Sequence, residues 1–165
     1  MDGRFRLART ILVVALILFA GNYGYGLAHE AAHAAVIETL GGHVYRIYVN
    51  VLGTDAYTEH TVLTNNADLV LVNLAGLFMT SLLAVVFAAA GQGLLAAFLA
   101  VRTSIYAINY APGTDVSTIY TAIGNLSMAL SLFIVAVNLA CICYAATGKN
   151  VRIATKRFIG GLSSS

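Results

Sequence analysis

Between Arg9 and His29 the chain carries no Lys, Arg, Asp, Glu or His, and the apolar run containing this stretch extends from about Leu7 to Leu40. As a single helix that run is about 34 residues or roughly 50 Å long, which exceeds the ~30 Å hydrocarbon core of a bilayer. Three more apolar runs follow, Leu69 to Ala90, Leu94 to about Tyr110, and about Ile119 to Ala146. Only 10% of the 165 residues are charged and the mean hydropathy is +0.83, whereas a soluble domain has about 25% charged residues. The chain therefore belongs to the membrane class, with no room for a separate soluble domain. The expected fold is an all-α membrane protein forming one polytopic domain over residues 1–165, with about four transmembrane helices (about 7–40, 69–90, 94–110 and 119–146).

Breaks between the runs sharpen this outline. Gly21 to Gly26 interrupts the first run with three glycines, two tyrosines and an asparagine. A kinked or tilted single helix, or one projecting into the headgroup region, is preferred to a helical hairpin, because neither half would reach the ~20 residues of a span. Gly41 and Gly42 end that helix. From His43 to about Asn66, Val44, Tyr45, Ile47, Tyr48, Val49 and Val51 favour extended structure and Gly53-Thr54-Asp55 resembles a turn, so a short strand or hairpin at the membrane edge is expected. Gly91-Gln92-Gly93 turns the third run back antiparallel, and Pro112-Gly113 breaks it.

Seven of the nine Lys and Arg residues lie near the ends, at Arg4, Arg6, Arg9, Lys149, Arg152, Lys156 and Arg157. Basic ends with an even number of spans favour a cytoplasmic location for both termini. A net charge of +2 carries no nucleic-acid signature, and no nucleic-acid partner is expected. Cys141 and Cys143 diverge by about 200° on a helix, which disfavours a mutual disulfide. Arg102, inside the third run, is expected to snorkel or to pair with an acid. Asn73, Asn125 and Asn138 are expected to make hydrogen bonds between helices.

The chemistry centres on His29-Glu30-Ala31-Ala32-His33, an HExxH pattern within the first run. On a helix the two histidines share one face and can reach one metal ion, with Glu30 near enough to handle the proton of a bound water. Catalytic zinc needs three protein ligands and one open position. Asp115 is preferred as the third, because it follows a proline-glycine break between apolar runs, where an ionisable group is costly and so functional by default. Glu59 is the main rival. His43, Asp55 and His60 lie in the polar extended segment, where a solvated face explains them, and Glu38 is turned about 140° from the metal face.

The stretch from Leu27 to Gly42, LAHEAAHAAVIETLGG, resembles the first active-site helix of the site-two protease family of intramembrane zinc metalloproteases. Asn109, Pro112 and Asp115 resemble that family's second motif, and Ala75-Gly76 is similar to an Ala-Gly pair between the two. The likeness covers roughly residues 10 to 120. The chain departs from it at Val116, where the family usually has Gly, and at Leu77, where it has Pro. A minimal core without PDZ or CBS modules is expected. The resemblance implies one zinc ion held by His29, His33 and Asp115, Glu30 as the catalytic base on a zinc-bound water, and Asn109 holding the substrate backbone. It implies a substrate that is a transmembrane or membrane-anchored protein, unwound locally into an extended strand. The segment from 43 to 60 could pair with that strand by edge addition. The resemblance places the termini outside the cytoplasm, against the charge pattern. The expected location is that of a multi-pass integral protein of the cell membrane. Two alternatives stay open: a zinc-dependent membrane hydrolase of a lipid substrate, and a non-enzymatic membrane subunit.

Overall fold

The computed structural model describes the backbone of residues 3–162 and the side chains of residues 5 and 7–147. Arg4, Arg6, Lys149, Arg152, Lys156 and Arg157, which bear on orientation, thus have side chains outside the described residues. The elements run α1 (Gly3–Thr39), β1 (Val44–Val49), β2 (Ala56–His60), α2 (Asn66–Ala89), α3 (Gly93–Ala107), α4 (Asp115–Ile123) and α5 (Leu126–Leu162). The chain is mostly helical, with one two-stranded antiparallel sheet. It forms two compact units, one ending at Gly76 and the other beginning at Leu77.

In the first unit α1 continues unbroken through Gly21, Gly24 and Gly26. Isolated glycines each cost a helix only about 1 kcal/mol relative to alanine, and the flanking apolar run supplies the rest of the helix. From Leu7 to Ala20 every residue of α1 is exposed, whereas Tyr25, His29, His33 and Ile37 form a buried stripe at four-residue spacing. The strands pair Val44 with His60, Ile47 with Thr58 and Tyr48 with Tyr57, with an irregularity between Val44 and Arg46. Tyr48 and Tyr57 stack with ring centroids 5.0 Å apart, the type of cross-strand pair that holds a register. The hairpin turn closes through Asn50, whose carbonyl accepts from the Gly53 amide at 2.8 Å and whose Oδ1 accepts from the Thr54 amide at 2.9 Å. Gly53 has φ +65° and a Cβ there would overlap the Asn22 backbone, so the turn can rest against α1 only with a bare Cα. The expected hairpin is present.

The second unit packs α3 with α5, and α4 with both. The buried residues of α3 are Ala96, Leu99, Ala100, Thr103 and Ala107, and those of α5 are Ser127, Ser131, Ile134, Asn138 and Cys141. Small residues at spacings of three and four let helix backbones approach closely where lipid removes most of the hydrophobic drive. Asn138 donates to Ser81 Oγ on α2 at 2.8 Å and to the Ile134 carbonyl at 2.9 Å, which is the expected interhelical role. Asn73 instead donates to the Leu69 carbonyl of its own helix at 2.7 Å, the back-bonding open to a short amide side chain. Asn125 lies in the turn before α5, where its carbonyl accepts from the Met128 amide at 3.1 Å. Arg102 places its guanidinium over the Tyr106 ring, 5.6 Å from the centroid. Cys141 is buried and Cys143 exposed, and both are free thiols.

Three of the described helices are long and apolar enough to cross a membrane: Leu7–Thr39 in α1, Asn66–Ala89, and Leu126–Thr147 in α5. The third apolar run forms a helix of 15 residues, about 22 Å long. The fourth run is split, because Gly124 adopts φ +61° and ends the nine-residue α4 before α5 begins.

Candidate metal centre

His29, Glu30 and His33 are 4%, 6% and 6% exposed, an unusual burial for three ionisable side chains on one helix. Their backbone is fixed by the uninterrupted α1. The two imidazoles meet edge to face with centroids 4.7 Å apart, and Tyr25, one turn earlier, stacks on His29 at 5.7 Å. The middle of the buried stripe thus carries two imidazoles that can turn a nitrogen to a common point.

The start of α2 completes the support of both rings. His33 Nδ1 donates to the Val72 carbonyl at 2.6 Å. A carbonyl can only accept, so this bond puts the proton on Nδ1 and leaves the Nε2 lone pair for a metal. One turn further along α2, Gly76 lies against His29. A Cβ at position 76 would be 2.6 Å from His29 Cε1 and Nε2, so any other residue would displace the ring. Glu30 Oε2 accepts from Thr58 Oγ1 of β2 at 2.9 Å.

Asp115 is the first residue of α4 and is half-buried. The Thr114 hydroxyl caps this helix by accepting from the Ser117 amide at 3.4 Å, and the Thr114 side chain itself donates to the Asn109 carbonyl at 2.6 Å. Asn109 is exposed, and its Oδ1 accepts from the Ala111 amide at 3.2 Å. Among the described residues, the group of His, Cys, Asp or Glu that could hold a metal ion is His29 and His33 of the first unit with Asp115 of the second. Glu59 is outside that group and exposed. Side chains alternate along a strand, so with Thr58 turned toward Glu30 its neighbour Glu59 faces away. His43, Asp55 and Glu38 are exposed, and His60 bonds through Nδ1 to the Thr61 carbonyl at 2.6 Å.

Three contributions lie beyond the motif reading. Thr58 carries no mark except its place in an extended segment, and the Val72 carbonyl carries none. Gly76 stood out only through the Ala-Gly likeness, which does not reveal its closeness to an imidazole. Fold and site together define a mostly helical chain with three membrane-length helices and a possible metal-binding triad. Comparison with known protein families, with curated proteins and with solved structures finds no match.

Proposed function

We propose that the chain is an intramembrane zinc metalloprotease, which hydrolyses peptide bonds in or near transmembrane segments of other proteins. The observation that carries this reading is the burial of His29 and His33 on one face of a helix of membrane length, with Glu30 buried beside them. Two imidazoles and a carboxylate are a donor set that suits zinc and leaves a fourth position open. His29, His33 and Asp115 would hold the ion, and the Val72 carbonyl supports His33 in the tautomer that binding requires. When bound, zinc supplies a Lewis acid that makes water more acidic and polarises the scissile carbonyl.

The protein's own residues do the rest. Glu30 takes a proton from the attacking water and delivers it to the leaving amine. Asn109 holds the substrate backbone through its amide nitrogen, since its Oδ1 is engaged by the Ala111 amide. The two-stranded sheet has an outer edge that suits an extended peptide, whose amides and carbonyls can continue the ladder. A lipid acyl chain has no such groups, and this favours a peptide substrate over a lipid one.

The test measures zinc per chain and cleavage of a synthetic transmembrane peptide by wild type and Glu30→Gln. The expected result is about one zinc in both proteins and a loss of cleavage on the order of 10²–10⁴-fold in the variant. Wild-type cleavage by Glu30→Gln would sink the reading.

A further inference from the structure

We infer that Thr58 is a positioning residue that sets the direction of the Glu30 carboxylate, an inference that rests on the proteolytic reading above. Thr58 lies on β2, opposite Ile47 in the register. Its hydroxyl is 2.9 Å from Glu30 Oε2 and 3.2 Å from the Glu30 main-chain carbonyl. The hydroxyl has one proton, and the shorter, charge-assisted bond to the carboxylate is the stronger of the two.

Glu30 is buried, and Thr58 is the hydrogen-bond partner of its carboxylate among the described residues. A glutamate side chain turns about three bonds, so the helix alone leaves its carboxylate free to point in several directions. The Thr58 bond removes that freedom by tying Oε2 to a strand packed against α1. Oε1 is then the oxygen left to accept the water proton. A general base must lie within hydrogen-bond reach of the proton that it takes, so an orientation held before substrate arrives contributes directly to rate. The hairpin that offers an edge to substrate thereby also aims the base. Substrate docking and proton transfer share one element.

This role differs from packing in its signature. Thr58→Val keeps the shape and removes the donor, while Thr58→Ser keeps the donor and removes a methyl group. The experiment compares wild type, Thr58→Val, Thr58→Ser and Glu30→Gln for zinc per chain and for kcat and KM on a synthetic transmembrane peptide. The expected outcome is full zinc in all four and kcat lower by about tenfold in Thr58→Val. KM should stay within about twofold of wild type, and Thr58→Ser should recover most of the rate. An unchanged kcat in Thr58→Val overturns the inference, as does a loss of zinc in that variant or a loss in Thr58→Ser of the same size. If wild type shows no zinc-dependent cleavage, or Glu30→Gln cleaves normally, the proteolytic reading itself has failed. In the former cases wild type and Glu30→Gln behave as proposed and Thr58 alone has been misjudged.

Discussion

The two halves of α1 belong to one unbroken helix and obey opposite rules. From Leu7 to Ala20 every side chain is exposed and nearly all are apolar. From Tyr25 to Ile37 the buried stripe contains His29 and His33, with Glu30 buried beside them, while Leu27 is exposed. A soluble amphipathic helix buries its apolar face and shows its polar face to water. Here the second half turns its ionisable groups inward, and the first half has no inward face. In hydrocarbon a polar side chain is stable only against protein or enclosed water. On the proposed reading, the contrast separates a part of α1 suited to meet lipid from a part suited to hold a metal.

The largest test of that contrast is alanine at the histidines. His33→Ala and His29→Ala each remove one of the three proposed ligands, and bound zinc should fall to background in a purified-protein metal assay. Zinc retained in His33→Ala would mean that the buried stripe is packing alone, and the two halves would then differ only in their neighbours.

A finer test acts on the helix that supports the stripe. Gly76→Ala introduces a Cβ 2.6 Å from the His29 ring. The ring must move, and losses from disturbing the support of a ligand are typically on the order of 10–100-fold in metal affinity. Competition with a zinc chelator measures this directly. An unchanged affinity would show that His29 has room to adapt and that the second half of α1 is less tightly specified than its burial implies.

How much of this was readable beforehand depends on the type of signal. The helical HExxH spacing, the hairpin after α1 and the break at Pro112-Gly113 follow from local rules of period and turn chemistry, and all appear in the structure where those rules put them. Gly21 to Gly26 read as an interruption within a single helix in preference to a hairpin, and α1 does pass through it unbroken, because isolated glycines carry only a small helix penalty. The end of α4 at Gly124 was not legible, since a lone glycine in an apolar run carries no sign of the positive φ that it adopts. Thr58 and the Val72 carbonyl were out of reach for a different reason. Their roles arise from which residue of a strand faces α1 and from which turn of α2 passes His33, and no short-range pattern encodes either.

The smallest effect comes from trimming an apolar side chain in each half. Ile37 is fully buried at the end of the stripe, whereas Leu12 is 60% exposed. Ile37→Ala leaves a cavity among packed neighbours, and such changes typically cost about 2–5 kcal/mol. Leu12→Ala leaves none, because lipid or detergent tails close over the gap, and its expected cost is within about 0.5 kcal/mol, as for substitutions outside packed contacts. Equilibrium unfolding of both variants in the same lipid–detergent mixture measures the difference. Equal destabilisation would mean that Leu12 is packed against protein in the membrane, through a partner chain or a second copy, and the first half of α1 would then be an interface instead of a lipid-facing surface.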